Sequence, residues 1–233
     1  MIDGSIVPSI NYKYQRMIRT YCRERRAQDY EDVMNDGLSL RFVEDLTRWM
    51  CIKAIRQNPL ALEYVKNQTR RMCIDAVSNN GLALEYVRYQ DLQICIAAVS
   101  NNGLALQFVE NQTDRICWKA VNQNCLALRY MKDKTEEICL KAVKSSKCAK
   151  KHEMTEIYEH ALMYVEDQTD EMCMHAVWRN GLALKYVKCQ AEWVCFIAVE
   201  QNYHALKYVR YQSDDFCRRV VDSYPLALQY VRD

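Results

Sequence analysis

A cysteine that recurs every 22 residues constrains the fold of this chain more than any other feature of its sequence. The members of this cysteine column are Cys51, Cys73, Cys95, Cys117, Cys139, Cys173, Cys195 and Cys217. A column of tyrosines and phenylalanines keeps the same phase and breaks at the same place, where 34 residues separate Cys139 from Cys173. A fixed period of this length is typical of stacked structural repeats, and the break indicates a 12-residue insertion in one of them.

The repeat at residues 69–90 shows how the period predicts structure. Cys73 and Val77 lie one helical turn apart on an apolar stripe, which indicates a first short helix. Thr69 is the predicted N-cap of that helix, and Thr113, Thr135, Thr169 and Ser213 occupy the same slot in other repeats. Asn80 and Gly81 predict a left-handed turn that ends the helix. A second helix then begins at Leu82 and is apolar on nearly all sides, as expected for a helix between neighbouring repeats.

One such unit is too small to bury a core alone, so the repeats must stack. The sequence therefore predicts an all-α fold, an α-solenoid of 22-residue helix-turn-helix repeats. We expect one continuous solenoid domain with four parts. These are an N-terminal basic cap helix region at 1–28, a first block of repeats at 29–143, an insertion at 144–159 and a second block at 160–233.

The repeat pattern is clearest in Ala98, Val99, Asn102, Gly103, Leu104, Ala105, Leu106, Phe108, Val109, Gln112 and Thr113. This AVxxNGLALxYVxxQT pattern resembles an uncharacterised helical-repeat family that is abundant in giant viruses of amoebae. The resemblance covers about residues 37 to 233 and is specific to the repeat. That family has no established activity, so the resemblance implies a viral protein acting in host cytoplasm or packaged in a particle, and no chemistry.

Composition excludes several classes of partner. The chain has 32 lysines and arginines against 30 acidic residues, so its net charge gives no general attraction to nucleic acid or anionic membranes. No run of 18 apolar residues and no signal-peptide pattern occurs in the sequence, and we expect no membrane partner. Cysteines placed within apolar helical patterns fit a reducing compartment, and the cytoplasm is the predicted location.

The cysteine column has two interpretations, a metal or redox array and simple core packing. Adjacent helices lie about 8–10 Å apart, whereas a disulfide needs Cα atoms within about 7 Å. One cysteine per repeat also cannot converge on a tetrahedral zinc ion. We therefore expect core packing, no metal and no cofactor. Scattered histidines and glycines confined to turn slots predict that the chain is not an enzyme.

A basic stripe on the second helices is the best candidate for a nucleic-acid interface. Its C-terminal part contains Lys185, Lys188, Lys207 and Arg210, and Tyr211 adds an aromatic ring suited to base stacking. The alternative is a solvated face, because basic residues in the last turn of a helix offset the negative end of its dipole. Glu110 and Glu166 interrupt the stripe.

Two segments fall outside the repeat and are candidate contact regions. Residues 11–26 carry six basic residues on a predicted helix, which is either a docking arm or a basic cap. The insertion places Lys147, Lys150 and Lys151 in a polar stretch before a second predicted helix that starts near Glu153. Loops on rigid scaffolds often carry contacts, although a merely solvated loop explains these lysines equally well.

A third candidate is a patch on one helix face formed by His175, Trp178 and Arg179. Tryptophan is enriched at binding hot spots, and core filling is the alternative interpretation of each residue. The function that these observations favour is a non-catalytic scaffold that binds a protein partner. The alternatives are a nucleic-acid-binding helical repeat and a virion or assembly component that self-associates head to tail.

Overall fold

The computed structural model describes residues 7–145 and 161–232, and every regular element in these ranges is a helix. The α-helices are α1 (Val7–Asn35), α2 (Arg48–Gln57), α3 (Arg70–Asn79), α4 (Leu92–Asn101), α5 (Asp114–Gln123), α6 (Glu136–Lys144), α7 (Asp170–Arg179), α8 (Glu192–Gln201) and α9 (Asp214–Ser223). Each is followed by a short 3₁₀ helix: Gly37–Phe42, Pro59–Tyr64, Gly81–Tyr86, Gly103–Phe108, Cys125–Tyr130, Ala161–Tyr164, Gly181–Tyr186, Tyr203–Tyr208 and Pro225–Tyr230. The predicted all-α repeat solenoid is confirmed.

The chain divides into two compact units, Met1–Tyr89 and Gln90–Asp233. In the first unit, α2 packs against α1 and α3. In the second unit, each α-helix from α4 to α7 packs against the α-helix that follows it. The 3₁₀ helices of neighbouring repeats also contact each other. That the chain forms one continuous solenoid domain, with an insertion at residues 144–159, stays a prediction.

The α-helix of each repeat begins at a capped N-terminus. The Thr69 hydroxyl accepts a hydrogen bond of 3.3 Å from the backbone N–H of Met72, which satisfies one of the free donors of the first turn. Thr135, Thr169 and Ser213 cap their helices in the same way. Thr113 occupies the N-cap position without a side-chain hydrogen bond. The predicted start signal is therefore confirmed, with this one exception among the residues named for it.

A single asparagine joins the two helices of a repeat. The backbone N–H of Asn80 closes α3 by donating to Ala76, and its side-chain oxygen accepts from the backbone N–H of Leu82 at 3.1 Å. Asn80 is thus the C-cap of one helix and the N-cap of the next, in an extended conformation with φ of −142°. The predicted left-handed turn is wrong, because no residue in the described ranges has a positive φ.

Close packing, rather than a left-handed conformation, explains the glycine after the asparagine. A Cβ atom built on Gly103 would lie 2.5 Å from the carbonyl oxygen of Ala120 in the next repeat. At Gly37 the corresponding distance to the carbonyl oxygen of Ala54 would be 2.6 Å. Both distances are far below van der Waals contact, so glycine allows the repeats to approach at these slots.

The second helix of the repeat is a 3₁₀ helix and not an α-helix. Gly81–Tyr86 comprises the six residues between Asn80 and the extended Val87, and 3₁₀ structure is the helix form that proteins use in short segments. Ala83 and Leu84 are fully buried and Glu85 is exposed. The apolar character predicted for this helix is therefore correct on the side that faces the core.

The N-terminal helix is longer than the basic segment 11–26 suggested. α1 continues to Asn35 and so crosses the predicted boundary at residue 28. Its C-terminal carbonyl groups at Met34 and Asn35 accept hydrogen bonds from the side-chain amide of Gln57 at 3.1 and 2.9 Å. The helix predicted from near Glu153 lies outside the described residues.

Candidate interaction surfaces

A column of glutamines forms the polar link between adjacent repeats. Its members are Gln68, Gln90, Gln112, Gln168, Gln190 and Gln212, and we call it the glutamine column. Gln168 is typical. Its amide nitrogen donates to the carbonyl oxygen of Leu162 at 3.1 Å and to that of Tyr186 in the next repeat at 2.9 Å. Its amide oxygen accepts from the backbone N–H of Lys188 at 2.8 Å. One side chain thereby satisfies three backbone groups.

The cysteine column packs beside the glutamine column inside the stack. The column cysteines are buried, except Cys217, which is half-buried. The thiol of Cys173 lies 3.8 Å from the amide oxygen of Gln168, within reach of a weak S–H hydrogen bond. Burial raises the pKa of both Cys95 and Cys195 to about 11, so these thiols stay protonated at neutral pH. The prediction that the column packs in the core is confirmed.

The glutamine column is interrupted at two slots, and a cavity lies at each. Leu46 occupies the first slot and Lys134 the second. The cavity at Leu46 has a volume of about 590 Å³ and is lined in part by Cys51, Val65 and Lys66. The cavity at Lys134 has a volume of about 370 Å³, and equivalent residues, Cys139, Val165 and Glu166, line it. We call these two cavities the gap sites.

The basic stripe consists of two kinds of residue. Lys188 follows the end of the 3₁₀ helix Gly181–Tyr186, and its ammonium group donates a 2.7 Å hydrogen bond to the carbonyl oxygen of Glu166 in the preceding repeat. Arg210 donates in the same way to the carbonyl oxygens of Lys188 and Val187. The interpretation of this slot as the last turn of a helix is therefore wrong, because these cations bridge repeats from beyond the helix end.

Lys185 and Lys207 form the outer part of the stripe. Both are exposed, and their ammonium groups lie 5.7 and 5.0 Å from the ring centres of Tyr186 and Tyr208, respectively. Tyr211 is 83% exposed. The structure thus leaves Lys185 and Lys207 available as positive charges at the surface, while Lys188 and Arg210 also hold the backbone together.

Trp178 is an exposed aromatic residue in the predicted patch on α7. Its side chain is 72% exposed, so core filling does not explain it. The same slot holds much smaller or charged residues elsewhere: Arg56, Ser78, Ser100, Asn122, Lys144, Glu200 and Asp222. Because the tryptophan occurs in one repeat only, the architecture of the repeat does not require it.

The neighbours of Trp178 are engaged in contacts between α6 and α7. The guanidinium group of Arg179 donates to the carbonyl oxygen of Lys144 at 2.7 Å, as Gln123 does to Asn101 two repeats earlier. The ammonium group of Lys144 pairs with Glu171 at 2.6 Å and lowers the pKa of that carboxyl group. His175 lies 3.7 Å from the same carboxylate. Arg179 therefore has a structural role beside the exposed Trp178.

The N-terminal candidates are partly described. On α1, Met17 and Tyr21 are each 60% exposed, so this apolar side is not covered by the described chain. Further along α1, the ring of Tyr30 stacks on Trp49 with 4.5 Å between ring centres, and Arg26 pairs with Asp45 at 3.4 Å. Lys147, Lys150 and Lys151 lie outside the described residues, so their candidacy stays a prediction.

Sequence reasoning missed the role of the glutamines. They stood in the repeat pattern, and a polar residue that recurs among buried positions is a signal of a buried hydrogen-bonded side chain. Their partners lie 18 and 20 residues further along the chain, as for Gln190 with Tyr208 and Arg210, so only the fold reveals them.

In residues 7–145 and 161–232, no group of three or more histidine, cysteine, aspartate or glutamate side chains is placed to hold a metal ion. No helix in the part of the chain that the structure describes combines the length and apolar character needed to cross a membrane.

Comparison with known proteins finds a match for the repeat but does not identify a function. No curated protein and no solved structure matches the chain. Residues 69–112, which form two complete repeats, match a family described as a domain of unknown function, DUF4116.

Proposed function

We propose that this chain is a non-catalytic scaffold that binds a protein partner, with Trp178 at the centre of one contact surface. The observation that carries the proposal is the 72% exposure of Trp178 on a helix whose counterparts carry smaller or charged residues in that slot. A large aromatic side chain that the fold does not need, held on a rigid helix, is typical of an interface hot spot. The contacts of Arg179 and Lys144 fix α7 against α6, so the surface is ordered before a partner arrives.

Site-specific photo-crosslinking tests this proposal. A photoreactive phenylalanine analogue at position 178 is expected to form a discrete adduct with one protein in cells that produce the chain. The matched control is the same analogue at Glu200, the equivalent slot of α8. Equal adducts at both positions would indicate non-specific contact and count against the proposal. Trp178→Ala, in a chain that folds normally, is expected to abolish co-purification of the crosslinked protein.

A nucleic-acid interface is the second candidate, and the exposed cations Lys185 and Lys207 with the exposed ring of Tyr211 favour it. The most informative variant is Lys185→Glu/Lys207→Glu. Lys188 and Arg210 are left unchanged because they donate hydrogen bonds to the backbone of the preceding repeat, and their loss would disturb the fold. If the stripe binds single-stranded RNA, this double variant should weaken binding of a labelled oligonucleotide and reduce the salt slope by about 1.4. Lys119→Glu/Lys141→Glu, at exposed positions of α5 and α6, makes the same change in net charge. Equal binding by both variants would exclude the stripe.

The proposals of viral origin and of a role in particle assembly rest on the resemblance of the repeat pattern, and the proposal of a cytoplasmic location rests also on the cysteines placed within apolar helical patterns. Head-to-tail self-association belongs to the last of these. It would appear as an average mass that rises with concentration in light scattering, and a mass that stays that of one chain would count against it.

A further inference from the structure

We propose that a second copy of this chain binds at Trp178, through the basic N-terminal half of its α1. The inference rests on the proposed function in taking Trp178 as the centre of a contact surface, and it names the partner protein. Two exposed apolar surfaces of opposite charge carry it, one on α7 and α8 and the other on α1.

The first surface is an apolar cluster that we call the α7–α8 face, and its members are Met174, Trp178, Trp193 and Ile197. Its two tryptophans occupy the slots that Lys144 and Glu171 occupy one step earlier, where the two side chains meet at 2.6 Å. The register of the repeat therefore places Trp178 of α7 beside Trp193 of α8. Trp193 is 41% exposed and Met174 is 38% exposed, so the cluster is open to solvent around Trp178.

The repeat does not require apolar residues at these four slots. Among the α-helices that the structure describes, no other consecutive pair has an apolar residue in all four. Trp49 of α2 is in the slot of Trp193, and there the ammonium group of Lys53 lies 5.2 Å from the centre of its ring. Ile197 occupies the slot of that lysine in α8. An exposed apolar cluster that the architecture does not need is typical of an interaction surface.

The second surface lies on the N-terminal half of α1. Every residue from 15 to 26 whose side chain the structure describes is exposed. Met17 and Tyr21 lie one turn apart on the same side of the helix, and each is 60% exposed. We call these two residues, with the arginines around them, the α1 face. Because most of the stability of a protein helix comes from packing of its apolar side, this surface is suited to being covered by another.

The two surfaces have opposite charge. Residues 15–26 contain five arginines and one glutamate. The helices α7, α8 and α9 together contain seven carboxylates and three arginines. Arg26 already pairs with Asp45, and Glu171 with Lys144, but the sign of each surface is unchanged when these charges are left out. Charge complementarity therefore favours contact between the α1 face of one copy and the α7–α8 face of another.

The chain itself shows how this surface holds an arginine. The guanidinium group of Arg219 lies 4.3 Å from the ring centre of Phe196, and it pairs with the carboxylates of Glu192 and Asp215. An aromatic ring and a carboxylate on neighbouring helix positions thus bind the cation together. Trp178 and Glu200, in equivalent slots of α7 and α8, provide a ring and a carboxylate for an arginine of the incoming α1.

Sedimentation equilibrium of the full chain at rising concentration tests the proposal. The average mass is expected to rise above that of one chain. The dissociation constant should increase when salt is raised from about 0.05 to about 0.5 M, because the contact is partly electrostatic. A mass that stays that of one chain at every concentration would overturn the proposal.

Two variants remove one surface each. Trp178→Ala and Met17→Ala/Tyr21→Ala should each raise the dissociation constant about tenfold or more. Alanine has the highest helix propensity and the replaced side chains are exposed, so both variants are expected to fold, which circular dichroism checks. Tyr89→Ala removes an aromatic ring that is exposed outside both surfaces, and this matched control should associate as the parent chain does.

A mixture of the two variants distinguishes this contact from other forms of self-association. The Trp178→Ala chain keeps its α1 face, and the Met17→Ala/Tyr21→Ala chain keeps its α7–α8 face. An equimolar mixture is therefore expected to form pairs at concentrations at which each variant alone remains a single chain. Absence of pairs in the mixture, or self-association that only one of the two variants weakens, would contradict the proposal.

The crosslinks at position 178 separate this inference from the scaffold proposal. If both hold, the discrete adduct has the mass of two chains. A discrete adduct with a different protein, from a chain that remains single in sedimentation, would overturn the second-copy inference and support the scaffold proposal. Equal adducts at positions 178 and 200 would count against the scaffold proposal, whatever the mass in sedimentation.

Discussion

The side-chain amide of Gln190 donates a 3.0 Å hydrogen bond to the carbonyl oxygen of Tyr208, which lies in the next repeat. The same side chain also accepts from the backbone N–H of Arg210 and donates to the carbonyl oxygen of Leu184. Two of these three bonds cross to the next repeat, so this amide connects the two repeats together with Arg210, which donates back to Lys188 and Val187.

Replacement of Gln190 by methionine is expected to destabilise the chain by about 2–4 kcal/mol, because the backbone groups of Leu184, Tyr208 and Arg210 each lose a hydrogen bond to the amide. Methionine keeps the length and most of the volume of glutamine, so packing changes little. Urea unfolding followed by circular dichroism measures the loss. Gln107→Met, at an exposed position of a 3₁₀ helix, is the matched control, and an equal effect of both variants would contradict the role of the column.

Lys134→Gln is expected to stabilise the chain by about 1–3 kcal/mol, since it restores hydrogen bonds of the kind that Gln112 makes one repeat earlier. The reciprocal variant Gln112→Lys should destabilise it by a similar amount. Thermal unfolding of the two variants measures both changes. Lys119→Gln makes the same chemical change on the exposed face of α5, and a gain as large in that variant would show that the effect is one of surface charge.

The buried cysteines are expected to make the chain sensitive to alkaline pH. Burial raises the pKa of Cys95 and Cys195 from 9.0 to about 11. Between these values the unfolded chain ionises its thiols while the folded chain does not, so the free energy of unfolding falls as the pH rises from 9 to 11. Below pH 9 both states hold the protons and this contribution is constant.

Urea unfolding at pH 8 and pH 10.5 tests this expectation, with the sign fixed by the raised pKa values. In the variant Cys95→Ala/Cys195→Ala the difference between the two pH values should be smaller than in the parent chain. Other groups that ionise in this range contribute equally to both proteins and cancel in the comparison. An unchanged difference would mean that these thiols are not the titrating groups.

Trp178→Ala is expected to change the free energy of unfolding by no more than about 0.5 kcal/mol, because an exposed side chain away from structural contacts contributes little. Phe216→Ala, which removes a ring that is 2% exposed, should cost about 3–5 kcal/mol. Denaturant unfolding of the two variants gives the comparison. A large loss for the tryptophan variant would assign Trp178 to the core and remove the basis of the scaffold proposal.

The period of 22 residues was sufficient to predict helix pairs, the cap at Thr69 and the burial of the cysteines. These features depend on local hydrogen bonding and on apolar spacing, which a sequence displays directly. The 3₁₀ form of the second helix was not predictable in this way, because a largely apolar segment of six residues between an asparagine and a valine fits either helix type.

In the candidate sites, too, the local features were predictable from the sequence and the contacts between repeats were not. The exposure of Trp178 and the bridging role of Lys188 depend on which surfaces the neighbouring repeats cover, and the sequence does not state that. The gap sites were visible as Leu46 and Lys134 in a column of glutamines, but their meaning required knowledge of the backbone groups that a glutamine satisfies. A deviation from a repeat becomes informative only when the physical role of the consensus residue is known.

The shared asparagine between the two helices of each repeat has a consequence for how such a chain changes in length. Because Asn80 and its counterparts end one helix and start the next, no linker exists there to absorb an added or deleted residue. Where the asparagine is present, whole repeats are therefore the natural unit of gain and loss. The 12-residue insertion falls between α6 and Ala161, at a junction where Ser146 occupies the asparagine slot. The repeat boundaries at Leu46 and Lys134 lack the glutamine of the column, so these two boundaries are not equivalent to the others.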